Sequence, residues 1–496
     1  MLLAVAYSLV TPLFEASDEL WHYPMVKYVA DHDFGLPVQD PANPGPWRQE
    51  GGQPPLYYYL GAVLTRWIDT TDMDAVRRIN PHADIGVVVP DSNANMVVHD
   101  AEREAFPWRG TALAMHLVRF LSVLMGLGTV LLTYALGREL FPAIPGLALA
   151  AAAFTAFNTM FLFISGVINN DNLSTLLASA LLLVIVRLVR RWDSPPPLRT
   201  YIWIGVLAGL GMLAKYQIGF MLPLIALVLL AISLRARDWR PVVLGGLISG
   251  GLTVLIAGWW YWRNYDLYGD ATGINIFLDI VGRRAVPADL PQLWTERETF
   301  MMAFWGFFGG VNVPMRDGVY ALFNLLAGIS ALGLLLALAL ALGDTLVEEL
   351  FVSGAVSSFE DAVYLLVRNG SGVTVAALDE AWLAVHRELL GSVVEVPAHV
   401  GSGWARLPSL ATDPGHALSY VWATVLALAI DARHAGDADG VIARAIVAGG
   451  VDADEFTALL GFEGDEWVEA GLGALALQLT RLGQVVGAGV SSRRAC

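Results

Sequence analysis

The sequence predicts an all-α protein: a polytopic bundle of about eight transmembrane helices, followed by a soluble α-helical module. Three observations carry that expectation. The chain is 56% hydrophobic and only 15% charged, with a mean hydropathy of +0.55, which is too apolar for a soluble globular protein. Seven apolar runs, near 112–137, 144–167, 172–190, 200–214, 217–234, 241–262 and 318–342, follow one another with mostly short polar breaks, and an N-terminal apolar segment makes the eighth. Charge then divides the chain. Residues 343–496 hold 20 Asp and Glu against 8 Arg and no Lys, a net of −12 out of −16. Residues 1–342 and 343–496 therefore read as two domains of unlike character.

In chain order, residues 1–13 are apolar but fall short of the roughly 20 residues that a spanning helix needs. They lack the basic region and small-residue cleavage site of a secretory signal, so a truncated first helix is expected. The stretch from Pro12 to His22 then delivers Glu15, Asp18, Glu19 and His22 at spacings of three and four. On a helix these groups share one face, at the point where an embedded chain meets water. A solvated boundary makes the same demands: Ser17 as a cap, and Asp18 and Glu19 near a helix N-terminus. A polar stretch broken by Pro37, Pro41, Pro44 and Pro46 leads to Gln53-Pro54-Pro55 and the aromatic cluster Tyr57-Tyr58-Tyr59. Residues 55–68 are too short to cross and read as a juxtamembrane helix, with 69–110 as surface loop.

Arginines set the expected topology. Arg138, then Arg187, Arg190, Arg191 and Arg199, then Arg235, Arg237 and Arg240 occupy alternate breaks, which places those breaks in the cytoplasm. The opposite face then collects the Asp18 loop, the Asn169–Asn172 corner, Lys215, and the long loop from Arg263 to about Asp317. Each of these has an ordinary structural role as well. Asp171 could simply open a helix, Lys215 could be a snorkelling anchor, and Gly258 to Tyr265 is an aromatic belt. Lys215 is nevertheless one of only two lysines in the chain, with Lys27. Carboxylates on one loop and cations on others suit a site that binds an anionic headgroup and activates a hydroxyl.

Several motifs occur in a characteristic order: Phe14-Glu15-Ala16-Ser17-Asp18-Glu19 with His22; Gln53-Pro54-Pro55-Leu56-Tyr57-Tyr58; Asn170-Asp171-Asn172-Leu173; Trp260-Tyr261-Trp262-Arg263-Asn264 with Tyr268-Gly269-Asp270; and Phe304-Trp305-Gly306 with Asn312-Val313-Pro314. Over residues 1 to about 342 the chain resembles bacterial polytopic glycosyltransferases of the GT-C superfamily, relatives of the protein O-mannosyltransferases and of the aminoarabinose transferases acting on lipid A. The resemblance implies an inverting transfer of a sugar from a polyprenyl-phosphate donor to an acceptor hydroxyl at the outer membrane face. By match to the family's Asp-Glu pair, Asp18 is the expected base, with Glu19 and His22 orienting it or the acceptor. Lys215 and Arg263 are candidates to stabilise the departing phosphate. Glu50, Gln53, Asp171 and Asn264 are assigned to substrate binding by position. Some relatives use a divalent metal; this sequence holds no tight ligand cluster, so no cofactor is assigned and a divalent cation is left open. The partners implied are a lipid-linked sugar donor, an acceptor of unspecified kind and the bilayer, with no nucleic acid. The implied location is the cell membrane, with the site outside and the tail inside.

Residues 344–496 lack a spanning run and read as short amphipathic helices. Glu380 to Gly391, Gly403 to Pro408, Ser419 to Ala423 and Ala448 to Gly450 resemble the C-terminal part of the M3-family oligoendopeptidases. Departures from that pattern are substantial. None of the nine histidines is followed by Glu, so the zinc helix His-Glu-x-x-His is missing. Ser409 stands where that family has histidine, and Tyr420 alone is kept from its aromatic cluster, so no peptidase activity is expected. Two other classes stand beside the transferase reading. A transporter or lipid carrier should show charges or broken helices at mid-membrane; a membrane-anchored, degenerate peptidase-like protein is the third.

Overall fold

The computed structural model describes residues 1–88, 93–191, 195–346, 351–369, 373–390, 396–406, 416–434, 437, 441, 453–463, 465–477 and 480. It is 72% helical, as the apolar periodicity requires. The one sheet among the described residues is a two-stranded antiparallel ribbon that pairs Phe307 with Pro314 and Phe308 with Val313. The chain divides into two compact units, Met1–Asn324 and Leu325–Cys496, the division falling inside the helix Asp317–Leu346.

Every apolar run of the sequence is helical. Among the described residues five helices are long and apolar enough to cross a membrane: Gly110–Leu140, Asp171–Arg190, Tyr216–Ala236, Arg240–Tyr268 and Asp317–Leu338. The run at 144–167 is not one straight span. It is the pair Pro145–Phe157 and Thr159–Ser165, bent by 64°. Asn158 makes the break: its backbone is extended, and its side chain accepts a hydrogen bond from the Phe161 N–H at 2.9 Å, which caps a new helix. Leu198–Ala214 has 17 residues, Leu56–Thr65 has ten and Leu2–Val10 has nine. The count of helices that span by length is therefore five, or six with the bent pair, against the eight expected.

Close helix packing in an apolar medium relies on small residues. Leu198–Ala214 packs along Arg240–Tyr268 through Gly205, where a Cβ atom would stand 2.7 Å from the Ser249 carbonyl oxygen. Ser249 Oγ donates to the Tyr201 carbonyl at 2.9 Å, and Thr253 Oγ1 donates to the Gly205 carbonyl at 3.3 Å. The two helices are thus fixed in register by hydroxyls that also satisfy themselves in a dry interface.

One ion pair ties the first unit together. Glu19 and Arg119 are both fully buried. Arg119 Nε donates to Glu19 Oε1 at 2.9 Å and Nη2 donates to Oε2 at 2.5 Å. The same guanidinium donates to the carbonyls of Ser8, Thr11 and Pro12. Glu19 also accepts from the backbone N–H groups of Phe14 and Ile168, each at 3.0 Å. Four separate pieces of chain meet at this point: the end of the first helix, the 11–19 turn, the Gly110–Leu140 helix and the segment after Ser165.

The second unit contains the helices Ser353–Arg368, Val375–Leu390, His416–Arg433 and Ala453–Leu459, with a 3₁₀ segment at Ala398–Arg406. Phe359 and Trp382 pack edge to face at 5.1 Å, and Trp404 Nε1 donates to Asp379 Oδ1. Val425, Ala429, Ile430, Phe462 and Trp467 form a second cluster. Among the described residues beyond Leu346, no helix is long and apolar enough to cross a membrane. Leu407 to Ser409 and Ala448 to Gly450, together with the side chain of Tyr420, lie outside the described residues.

Replacing Arg119 by Met leaves Glu19 buried without its cation. Breaking a buried pair from one side costs about 3–5 kcal/mol, so the thermal midpoint of the purified protein in detergent should fall sharply. An unchanged midpoint would show that the pair is not what holds these segments.

Candidate active site

The expectation that Glu15, Asp18, Glu19 and His22 share one helix face does not hold. The helix begins at Glu19, and two left-handed residues precede it, Phe14 at φ 63° and Asp18 at φ 59°. The chain therefore turns sharply twice, and its carboxylates diverge. Glu15 leaves the site: its oxygens accept from the N–H groups of Met96 and Val97, and from His99 Nε2 at 2.9 Å. His99 Nδ1 meets Glu104, and the hydrogen bonds from Glu104 and then Glu15 push this imidazole up to about 9. Glu19, expected to orient the chemistry, has both oxygens committed to Arg119 and to backbone N–H groups.

Asp18 is the carboxylate left open. No hydrogen bond to its oxygens occurs among the described residues, and it is half-buried. Burial pushes its carboxyl above the usual range; the Asp171 carboxylate adds to that rise, and Lys215 opposes it. Lys215 Nζ forms an ion pair with Asp171 Oδ1. Asp171 opens the helix Asp171–Arg190, while Lys215 closes Leu198–Ala214 with extended backbone, so two helix ends bring opposite charges to Asp18.

Beside them lies a buried polar network. Tyr58 Oη donates to Glu50 Oε2 at 2.8 Å, and His22 Nδ1 stands 2.9 Å from Tyr58 Oη and 3.3 Å from Glu50 Oε2. Gln49 Nε2 donates to Glu50 Oε1 at 3.0 Å. Burial, and then the charge of Asp18, push Glu50 up to about 8. Burial and then Lys215 push His22 down to about 3. Burial thus favours the uncharged forms of His22 and Glu50, and a protonated Glu50 can donate as well as accept. Gln53 is joined to the site through Asn170 Nδ2, which donates to its Oε1 at 2.6 Å.

Arg263 and Asn264 occupy a neighbouring position. Arg263 Nη2 donates to the carbonyls of Leu36 and Pro37, and the guanidinium lies 5.4 Å from the Trp260 ring centroid. Its Nη1 is buried without a partner, as are both amide atoms of the fully buried Asn264. Gly273, at φ 69°, comes close to both Asn264 Nδ2 and the Gly52 carbonyl; a Cβ atom there would stand 3.2 and 3.3 Å from them. Asn264 thus faces the segment that carries Glu50 and Gln53. Unpaired buried polar groups are costly unless a partner completes them.

Sequence reasoning missed Arg119, Tyr58, Gln49 and Asn170. Arg119 was findable, since an arginine inside an apolar run calls for a buried partner. Tyr58 was hidden among neighbouring tyrosines that read as interfacial. Among the described residues there is no group of three or more His, Cys, Asp or Glu placed to hold a metal ion.

The Glu50 assignment has a measurable consequence. The folded protein keeps a proton that the unfolded chain releases above the ordinary 4.5, so its contribution to stability is complete below 4.5 and is lost as pH rises to about 8. Glu50→Gln removes the titrating group while keeping the side chain's size and one of the two acceptors that Gln49 Nε2 and Tyr58 Oη use. Its melting temperature should change less across that pH window than the wild type's, and identical slopes would contradict a neutral Glu50.

No curated protein and no solved structure matches the chain. Residues 110–262 match the family model of the dolichyl-phosphate-mannose-protein mannosyltransferases. Asp171 and Lys215 lie inside the matched segment; Asp18, Glu19, His22, Glu50, Gln53, Arg263 and Asn264 lie outside it. The match, joined to five helices able to span a membrane, supports a multi-pass membrane glycosyltransferase of the GT-C type.

Proposed function

We propose that this protein moves a sugar, by inversion, from a polyprenyl-phosphate donor to an acceptor hydroxyl at the non-cytoplasmic face of the membrane. One observation carries the reading. Of the three carboxylates in the turn before His22, Asp18 alone remains open, and it stands beside the Lys215–Asp171 pair. Asp18 takes the proton of the acceptor hydroxyl as that oxygen attacks the anomeric carbon. The bond from anomeric carbon to phosphate oxygen breaks on the opposite face, and the electron pair leaves with the lipid phosphate. Lys215, released from Asp171 or shared with it, stabilises the departing charge, and Arg263 Nη1 supplies a second cationic contact. Glu50, held neutral, donates to a sugar hydroxyl while Gln49 and Tyr58 fix its direction. Gln53, Asp171 and Asn264 complete the polar lining, and His22 positions Tyr58 and Glu50.

The topology that accompanies this reading places Asp18 and the loop after Arg263 outside and the residues after Leu346 inside; it has the bent pair Pro145–Phe157 and Thr159–Ser165 and the 17-residue helix Leu198–Ala214 crossing the membrane beside the five longer helices. Residues 344–496 are a passenger in this scheme, a degenerate peptidase-like module with no part in transfer. The bend at Asn158 is the one feature that favours a lipid-carrier protein without transferase chemistry.

The test is transfer of labelled sugar from polyprenyl phosphates by the purified full chain. Asp18→Asn keeps shape and removes basicity, so turnover should fall by roughly 10²–10⁴ with donor binding nearly unchanged. Arg263→Ala should weaken donor binding and turnover together. Unaltered turnover in Asp18→Asn would remove it as the base, and no transfer from any such donor would favour the carrier reading.

A further inference from the structure

A second polar cavity lies away from this site, where the helix Asp171–Arg190 ends and Leu198–Ala214 begins. It measures about 500 Å³ and is lined by Arg187, Arg191, Arg199, Thr200 and Trp203, with Leu188 among the apolar residues beneath them. Asp171 and the Lys215 pair stand at the far end of the Asp171–Arg190 helix. Twenty residues at 1.5 Å rise separate the two places by about 30 Å. This cavity therefore takes no part in sugar transfer.

Its chemistry is specific. Arg187, Arg191 and Arg199 line one hollow, Arg191 with an interaction of its own, and arginine forks match phosphate oxygens in a way that a lysine does not. Arg187 Nε meets Glu139 Oε2 at 3.1 Å, an exposed pair. Arg199 has no hydrogen-bond or ion-pair partner among the described residues. Pro195, Pro196 and Pro197, each with a fixed φ, line the cavity as well. Trp203 is 58% exposed, at the level where two apolar helices end, and indole rings prefer that interfacial depth. Arg138, Arg190, Arg235, Arg237 and Arg240 occupy breaks assigned to the same face. A lining that joins arginines to apolar side chains suits a molecule that is anionic at one end and apolar at the other. A free phosphate ion would have no use for the apolar side chains.

We propose that this cavity holds the phosphate headgroup of an anionic phospholipid from the cytoplasmic leaflet, with the guanidiniums on the phosphate and Trp203 and Leu188 against the glycerol and first acyl carbons. The inference rests on the membrane topology and not on the transferase reading.

The experiment uses the full chain in detergent, titrated with phosphatidylglycerol, phosphatidylcholine or inorganic phosphate, with retained lipid read by native mass spectrometry. Phosphatidylglycerol should be retained and phosphatidylcholine should not. Arg187→Gln, Arg191→Gln and Arg199→Gln should each lower phosphatidylglycerol affinity by about fivefold, and Trp203→Ala should weaken it with the charge unchanged. Arg237→Gln, on the same face but outside the cavity, should have no effect. The single variants keep the test valid if a triple variant fails to fold. Equal losses from Arg237→Gln would make this a diffuse surface charge, and full displacement by millimolar inorganic phosphate would make it a simple anion site. Retention untouched by all three arginine changes would also overturn the proposal.

Discussion

The buried pair of Glu19 and Arg119 is the constraint on which the first unit depends. A charge placed among apolar helices is tolerable only when its partner and all remaining hydrogen bonds are supplied. Here they are supplied from four segments: Arg119 reaches the carbonyls of Ser8, Thr11 and Pro12, and Glu19 takes the N–H groups of Phe14 and Ile168. Because those carbonyls belong to the end of the first helix and the turn after it, the pair fixes the path of the chain from Ser8 to Glu19. It also fixes the left-handed residue Asp18, which immediately precedes Glu19.

The division of labour in the site follows from that anchoring. Glu15 is held by the loop at 96–99 and Glu19 by Arg119, so the turn presents one open carboxylate. Around Asp18 the protein arranges charge unevenly. Lys215 and Asp171 form a partly exposed ion pair, whereas His22, Tyr58 and Glu50 form a buried network in which burial favours the uncharged forms. Burial raises both carboxyls, but Asp18 is open at its oxygens whereas Glu50 is enclosed and hydrogen-bonded by Gln49 and Tyr58.

Much of this was legible in the sequence. All seven apolar runs became helices, because a long apolar run in lipid has few ways to satisfy its backbone other than a helix. The polar loops between the runs were also located, since carboxylates and prolines interrupt an apolar helix. What stayed hidden was decided by single backbone angles and by distant partners. The spacing of Glu15, Asp18, Glu19 and His22 is helical, yet positive φ at Phe14 and Asp18 breaks that periodicity, and no local pattern announces it. The break at Asn158 is similar: one capping amide divides an unbroken apolar run. Glu19 read as a catalytic neighbour of Asp18 because its partner is 100 residues away.

The central claim is that Glu19 anchors the fold while Asp18 does the chemistry. It is tested most directly by measuring folded yield and turnover per folded molecule side by side for Glu19→Gln. The account predicts a marked loss of folded protein, with the surviving folded molecules transferring sugar at close to the wild-type rate. Normal folding with transfer abolished would contradict it and would make Glu19 the base.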